Sequence, residues 1–184
     1  GWGTAPDYET FCQCQGDWLK DYSLFRAAKN RYKGLPWTQW PQGLRERRPV
    51  ALDELRRQEG AAIELYQFEQ YLFFKQARRL REYANQKGVK LLGDLPLYVA
   101  HDSSDVWSRQ QYFLLDSEGE PVGVAGVPPD YFSKDGQLWG NPLYDWKAME
   151  QQNYRWWRRR LEVVLELTDW VRLDHFRGIE AYWD

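Results

Sequence analysis

Arg172 and Asp174 stand two residues apart in the run Trp170-Val171-Arg172-Leu173-Asp174-His175-Phe176-Arg177-Gly178. Side chains of an extended segment alternate between faces, so Arg172 and Asp174 project to one side while Val171 and Leu173 project to the other. A guanidinium beside a carboxylate favours its ionised form, which suits a nucleophile or an electrostatic stabiliser better than a proton donor. The commonest meaning of an R-x-D pair is a salt bridge on a strand. Here a second aspartate, Asp94, closes the short run Val89-Lys90-Leu91-Leu92-Gly93-Asp94. Neighbouring parallel strands lie about 5 Å apart, so the two carboxylates can face one pocket if both runs are strands of one sheet.

The elements that must hold these residues follow from periodicity. Residues 88–184 read as a strand, a long loop, a helix and the strand that carries Asp174. This is a parallel βαβ unit with an enlarged loop after its first strand. In such units the carboxyl ends of the strands carry ligands, and Asp94 and Asp174 both fall at that end. Residues 98–146 are rich in Gly, Pro, Asp and aromatics and follow neither period; a connection that long tends to be functional. Residues 147–167 predict one helix with Tyr154, Trp157, Leu161 and Val164 buried and Arg158, Arg159 and Arg160 outside.

Residues 1–87 form a helical region leading into that unit. Asp7 is placed to cap a first helix ending near Cys14, and Asp17 or Asp21 to open a second that Gly34 ends. Leu35-Pro36-Trp37-Thr38-Gln39-Trp40-Pro41 breaks the helical period, and its tryptophans read as an ordered loop packed on a helix in preference to a sugar-stacking surface. Residues 51–85 predict two helices broken at Gly60. In the second, Leu65, Phe68, Leu72, Phe73, Ala77, Leu80 and Ala84, with Lys75 among them, trace the apolar faces, and Arg78, Arg79, Arg81 and Glu82 form a solvated face. Gly88 is placed for a left-handed C-cap.

Composition narrows the function. At 184 residues, with 43% hydrophobic and 28% charged residues, the chain fits one folded domain. A net charge of −2 offers no electrostatic case for nucleic acid or an anionic membrane. The 11 Trp and 12 Tyr exceed ordinary usage and supply both core and flat surfaces for hydroxyl-rich ligands. Cys12 and Cys14 suit neither a disulfide framework nor a zinc site, which favours a reduced, cytoplasmic setting. No metal or cofactor is expected: His101 and His175 lie in different loops without a surrounding ligand cluster, and His101 reads as a loop hydrogen-bonder. The opening Gly1-Trp2-Gly3 resembles no signal peptide, and both ends read as cuts within a longer protein.

Three longer blocks carry a resemblance. Residues 93–107, opening Gly93-Asp94-Leu95-Pro96-Leu97-Tyr98, residues 125–146, holding Pro128-Pro129-Asp130-Tyr131 and Gly136-Gln137-Leu138-Trp139-Gly140-Asn141, and Val171-Arg172-Leu173-Asp174-His175-Phe176-Arg177-Gly178 resemble the 4-α-glucanotransferases called amylomaltase or disproportionating enzyme. The resemblance implies a partial (β/α)8 barrel of the α/β class with helical insertions, holding the third and fourth barrel strands and lacking the others, so that the edges of the remaining pair are unpaired. It implies that Asp174 is the nucleophile of a retaining double displacement and Arg172 the partner that keeps it ionised. Asp94 and His175 then match sugar-binding positions, and Asp130, Gln137 and Trp139 a loop that closes over the glucan. The implied partners are maltooligosaccharides and α-1,4-glucans derived from starch or glycogen. A retaining site also needs a carboxylic acid about 5 to 5.5 Å from the nucleophile. The resemblance places that glutamate on a later strand, and Glu180 reads as structural, so the chain by itself is expected to be inactive. Two alternatives remain: an α-amylase-type glucan hydrolase, and a non-catalytic glucan-binding fragment.

Overall fold

A computed structural model describes residues 6–129, 131 and 133–180. The described residues fall into two compact units, one reaching to Gln76 and taking in Asp102–Ser108, the other comprising Ala77–His101 and the residues from Arg109 onward.

The first unit is helical: α1 (Pro6–Cys14), α2 (Gly16–Arg31), a single 3-10 turn at Trp37–Gln39, α3 (Gln42–Arg45), α4 (Pro49–Gln58), the greater part of α5 (Gly60–Gln86) and the short α6 (Ser104–Ser108). Pro49 opens α4, where its missing N–H costs nothing, and the predicted break between two helices is present but falls at Glu59, with Gly60 opening α5. Trp37 and Trp40 are buried. The Trp40 ring lies 5.4 Å from Phe25 and 5.5 Å from Trp107, and the Trp107 indole donates to the Leu44 carbonyl at 2.9 Å. These tryptophans are core.

Two helical expectations change. Asp7 sits inside the first turn of α1 and not at its cap. Its carboxylate accepts from the Tyr71 hydroxyl and from Lys75 at 2.9 Å, tying α1 to α5. In α5 the residues that bury are Tyr66, Tyr71 and Phe74, whereas Leu65, Leu72, Phe73 and Leu80 are exposed. The helix has apolar residues on adjoining stripes, and hydropathy alone does not choose between them. The tyrosines win because their hydroxyls find partners, Asn30 for Tyr66 and Asp7 for Tyr71.

The second unit holds the end of α5, β1 (Leu92–Leu95), β2 (Val124–Val127), β3 (Gln137–Pro142), α7 (Trp146–Gln151), α8 (Arg155–Leu167) and β4 (Trp170–Leu173). β1 and β4 are parallel, with Leu92 opposite Trp170 and Asp94 opposite Arg172. Gly88 takes the left-handed conformation expected of it, φ 76°. Residues 98–146 are more regular than expected, since β2 and β3 pair antiparallel within them, with an irregular register between Val124 and Gly126. Strands this short and glycine-rich leave no alternation to read. The single helix expected over 147–167 is two, parted where Asn153 and Tyr154 both adopt positive φ. That break shifts the helical phase, so Trp156 and Trp157 bury while Tyr154 is exposed.

Of the basic face of α5, Arg78, Arg79 and Glu82 are exposed as the sequence predicts and Arg81 is half-buried, yet the face also carries ion pairs. Arg78 pairs with Glu166 at 2.9 Å, and Arg81 meets Asp169 at 3.2 Å while donating to the Leu165 and Glu166 carbonyls. Asp169 also accepts from the Leu91 N–H at 2.9 Å and from Asn85, which ties the start of β4 to the start of β1. Gly93 lies against α8, where an added Cβ would come within 2.8 Å of Thr168 Oγ1 and 2.9 Å of Val164 Cγ1.

Candidate active site

Burial alternates along β4, with Val171 and Leu173 partly buried and Arg172 exposed, and Asp174 just beyond the strand continues the exposed set. The parallel register sets Arg172 directly beside Asp94. The guanidinium grips Asp94 with two prongs, Nε to Oδ1 at 3.1 Å and Nη2 to Oδ2 at 2.8 Å, and its Nη1 lies 3.4 Å from Asp174 Oδ1. The Asp174 N–H donates to the Leu95 carbonyl at 3.1 Å and so holds the residue after β4 against the end of β1. Hydrogen bonding from Arg172 holds the Asp94 carboxyl below the usual aspartate range, and Asp94 in turn raises the Arg172 guanidinium. Two carboxylates therefore share one cation on an open strand face.

A second group of side chains adjoins Asp174. His175 has a left-handed backbone, φ 50°, and its Nε2 is buried without a hydrogen-bond partner among the described residues. The Trp139 ring meets the His175 ring edge-on at 5.0 Å and lies 6.1 Å from the Tyr98 ring. The Trp139 indole donates to the Gln137 side-chain oxygen at 3.0 Å, as two residues on one face of β3 allow. Gly178 closes the back: its N–H donates to the His175 carbonyl at 2.8 Å, and a Cβ there would collide with the Leu97 side chain and the His175 ring.

Of the residues singled out in the sequence, Asp94, Arg172 and Asp174 form one cluster, and Gln137, Trp139 and His175 another that adjoins it through the Asp174–His175 peptide. Asp130 lies outside the described residues. His101 makes the loop contact expected of it, Nε2 to the Gly119 carbonyl at 2.7 Å. Tyr98, Tyr144 and Gly178 carry no assigned site role in the sequence, because an aromatic or glycine in a loop has no periodic signal; the dense aromatic spacing of residues 98–146 hints at the tyrosines but not at Gly178. Among the described residues, no group of three or more His, Cys, Asp or Glu is arranged to hold a metal ion, and no helix is long and apolar enough to cross a membrane.

A parallel strand pair joined through a helix, with carboxylates at its carboxyl ends and an aromatic wall beside them, defines an α/β protein whose strand ends are placed to carry a ligand site. The pattern of the 4-alpha-glucanotransferase family matches residues 3–184, and the chain belongs to that family. It is 48% identical over 177 residues to a 4-alpha-glucanotransferase of Thermus thermophilus, covering 96% of this chain and 35% of that protein. A chloroplastic/amyloplastic 4-alpha-glucanotransferase of Solanum tuberosum is 45% identical over 166 residues, covering 90% of this chain and 29% of that one. In three dimensions it is similar to the amylomaltase from Streptococcus agalactiae in complex with acarbose, with a TM-score of 0.90 and 37% identity over 96% of this chain and 36% of that one. The amylomaltase from Corynebacterium glutamicum shares the fold, with a TM-score of 0.70 at 21% identity over 94% of this chain and 22% of that one. The chain spans about a third of the length of the bacterial relatives it matches.

Proposed function

We propose that this chain is the nucleophile-bearing part of a 4-α-glucanotransferase, with Asp174 attacking the anomeric carbon of an α-1,4-glucan. The observation that carries this reading is the position of Asp174 at the carboxyl end of β4, 3.4 Å from Arg172 and beside the Trp139–His175 wall. One Asp174 oxygen bonds to the anomeric carbon as the bond to the leaving 4-oxygen breaks. The leaving 4-oxygen takes a proton from a carboxylic acid; the glucosyl group then passes from Asp174 to the 4-hydroxyl of an acceptor as the ester bond breaks and that hydroxyl's proton returns to the same carboxylate, two inversions retaining configuration. Neither aspartate of the cluster suits the donor role, since both face the Arg172 cation. The proton must come from a residue outside the cluster.

The reading takes β1 and β4 as the third and fourth strands of a (β/α)8 barrel, within a single catalytic domain spanning residues 1–184 of this chain. Asp94, His175, Gln137, Trp139 and Asp130 contact the glucan, with maltooligosaccharides as substrates in a cytoplasmic setting. The partly exposed Trp139 supports a sugar-facing surface, because pyranose faces stack on indole.

In a full-length protein carrying this segment, Asp174→Asn is expected to abolish disproportionation of maltotriose, read as loss of glucose and longer maltooligosaccharides; full activity would reject the nucleophile. A second reading, a glucan-binding unit without turnover, is favoured for these 184 residues by the absence of a proton donor in the Asp94–Arg172–Asp174 cluster. Maltotriose binding without product formation by the chain alone distinguishes it.

A further inference from the structure

We infer that Arg160 is a positioning residue for the aromatic wall, holding the backbone after β1 so that Tyr98 and His175 keep their places beside Trp139. This rests on the glucan-facing reading of that wall. Arg160 projects from α8 and donates Nη2 to the Pro96 carbonyl at 2.8 Å and Nη1 to the Leu97 carbonyl at 3.3 Å. Because peptide groups are planar, fixing these two oxygens orients the peptides on both sides of Leu97 and sets where Tyr98 departs from the chain. Pro96 adds its own restriction on φ. The Leu97 carbonyl accepts a second hydrogen bond from the Tyr144 hydroxyl at 2.5 Å, and Tyr144 also stacks on the Tyr98 ring at 5.8 Å and 18°.

Two routes lead from that backbone to His175. The Tyr98 ring lies 6.3 Å from the His175 ring. The Leu97 side chain packs against Gly178, behind His175, with no room between them for a methyl group. Arg160 is itself held, with its guanidinium carbon 4.4 Å from the Trp157 ring centroid and 4.9 Å from that of Trp156. A lysine reaches one carbonyl but cannot span both or stack as a plane. The arrangement therefore calls for arginine and not merely for a positive charge.

The chain contains two histidines, so imidazole resonances report on His175, with His101 on the Gly119 carbonyl as an internal control. In Arg160→Ala, the His175 signals are expected to move while those of His101 hold, and maltotriose binding by the same chain to weaken by roughly tenfold, the scale of one lost charged hydrogen bond. Arg160→Lys is expected to fall between the two. A folded Arg160→Ala protein with His175 unmoved overturns the inference. Should Arg160→Ala not fold, Arg160→Lys decides: a moved His175 beside a fixed His101 supports positioning, and both fixed rejects it. A moved His175 with maltotriose binding unchanged in a variant leaves positioning intact and rejects the glucan-facing wall; no maltotriose binding by the unsubstituted chain rejects that wall as well.

Discussion

Arg172 divides itself unequally, giving two hydrogen bonds to Asp94 and a longer contact to Asp174. In the proposed mechanism the firmly held Asp94 is the anchor, and the loosely held Asp174 keeps its oxygens available for attack. Replacing Arg172 with alanine removes the main cause of the Asp94 depression, so carboxyl 13C titration should show Asp94 rising towards the ordinary aspartate range. The sign is that of a depressed carboxyl: the contribution of this pair to folding is present above the ordinary pKa and is lost as pH falls through the lowered one. Gly178 is the other residue with a sharp expectation. Gly178→Ala forces a methyl into the Leu97 side chain and the His175 ring, so it should cost about 1–3 kcal/mol by urea denaturation. A cost near zero would mean that the close packing behind His175 relaxes freely.

At the scale of elements, the parallel pair depends on how α8 lies across it. Gly93 lies against α8 with no room for a Cβ, and Gly93→Ala should destabilise by about 1–3 kcal/mol, read from the urea midpoint at unchanged m-value. Helix α1 depends instead on a charge. The Tyr71 hydroxyl and then Lys75 hold the Asp7 carboxyl down to about 2, from an ordinary 3.8. Its support for α1 is therefore complete above the ordinary value and disappears as pH falls through about 2. Amide protection factors in α1 should fall on acidification before those in α2, and Asp7→Asn should reproduce the loosened helix at neutral pH. Identical exchange in variant and parent would show that α1 is held by its aromatic contacts alone.

For the whole molecule, the instructive surface is the exposed face of β1 and β4. Leu92 and Trp170 face each other in register and are 64% and 63% exposed, beside the Asp94–Arg172–Asp174 cluster on the same face. Under the proposed barrel reading, the apolar pair would help fill the interior and the ion cluster would lie at the carboxyl ends of the strands. Replacing both with threonine should lower binding of a hydrophobic dye while leaving the unfolding midpoint within about 0.5 kcal/mol of the parent in free energy. A large loss of stability would instead show that this face is packed.

Much of the site is legible in the sequence. Alternation placed Arg172 with Asp174, the strand–loop–helix–strand order placed Asp94 beside them, and the glycines at 60 and 88 marked a helix break to within one residue and a helix end, because these features depend on local backbone geometry and short periods. Which stripe of α5 is buried was not legible, since that choice depends on whether Asn30 and Asp7 stand ready to satisfy tyrosine hydroxyls. The break at Asn153 and Tyr154, the pairing of Arg78 and Arg81 with α8 and β4, and the clasp of Arg160 on Pro96 and Leu97 were equally out of reach, because each joins groups that only the folded chain brings together. The sequence by itself determined the chemistry on offer: two aspartates and an arginine on strand ends, with aromatics nearby. Tertiary structure alone decided that the arginine grips Asp94 more firmly than Asp174, because a bidentate hydrogen bond requires the register of two parallel strands and not merely proximity along one.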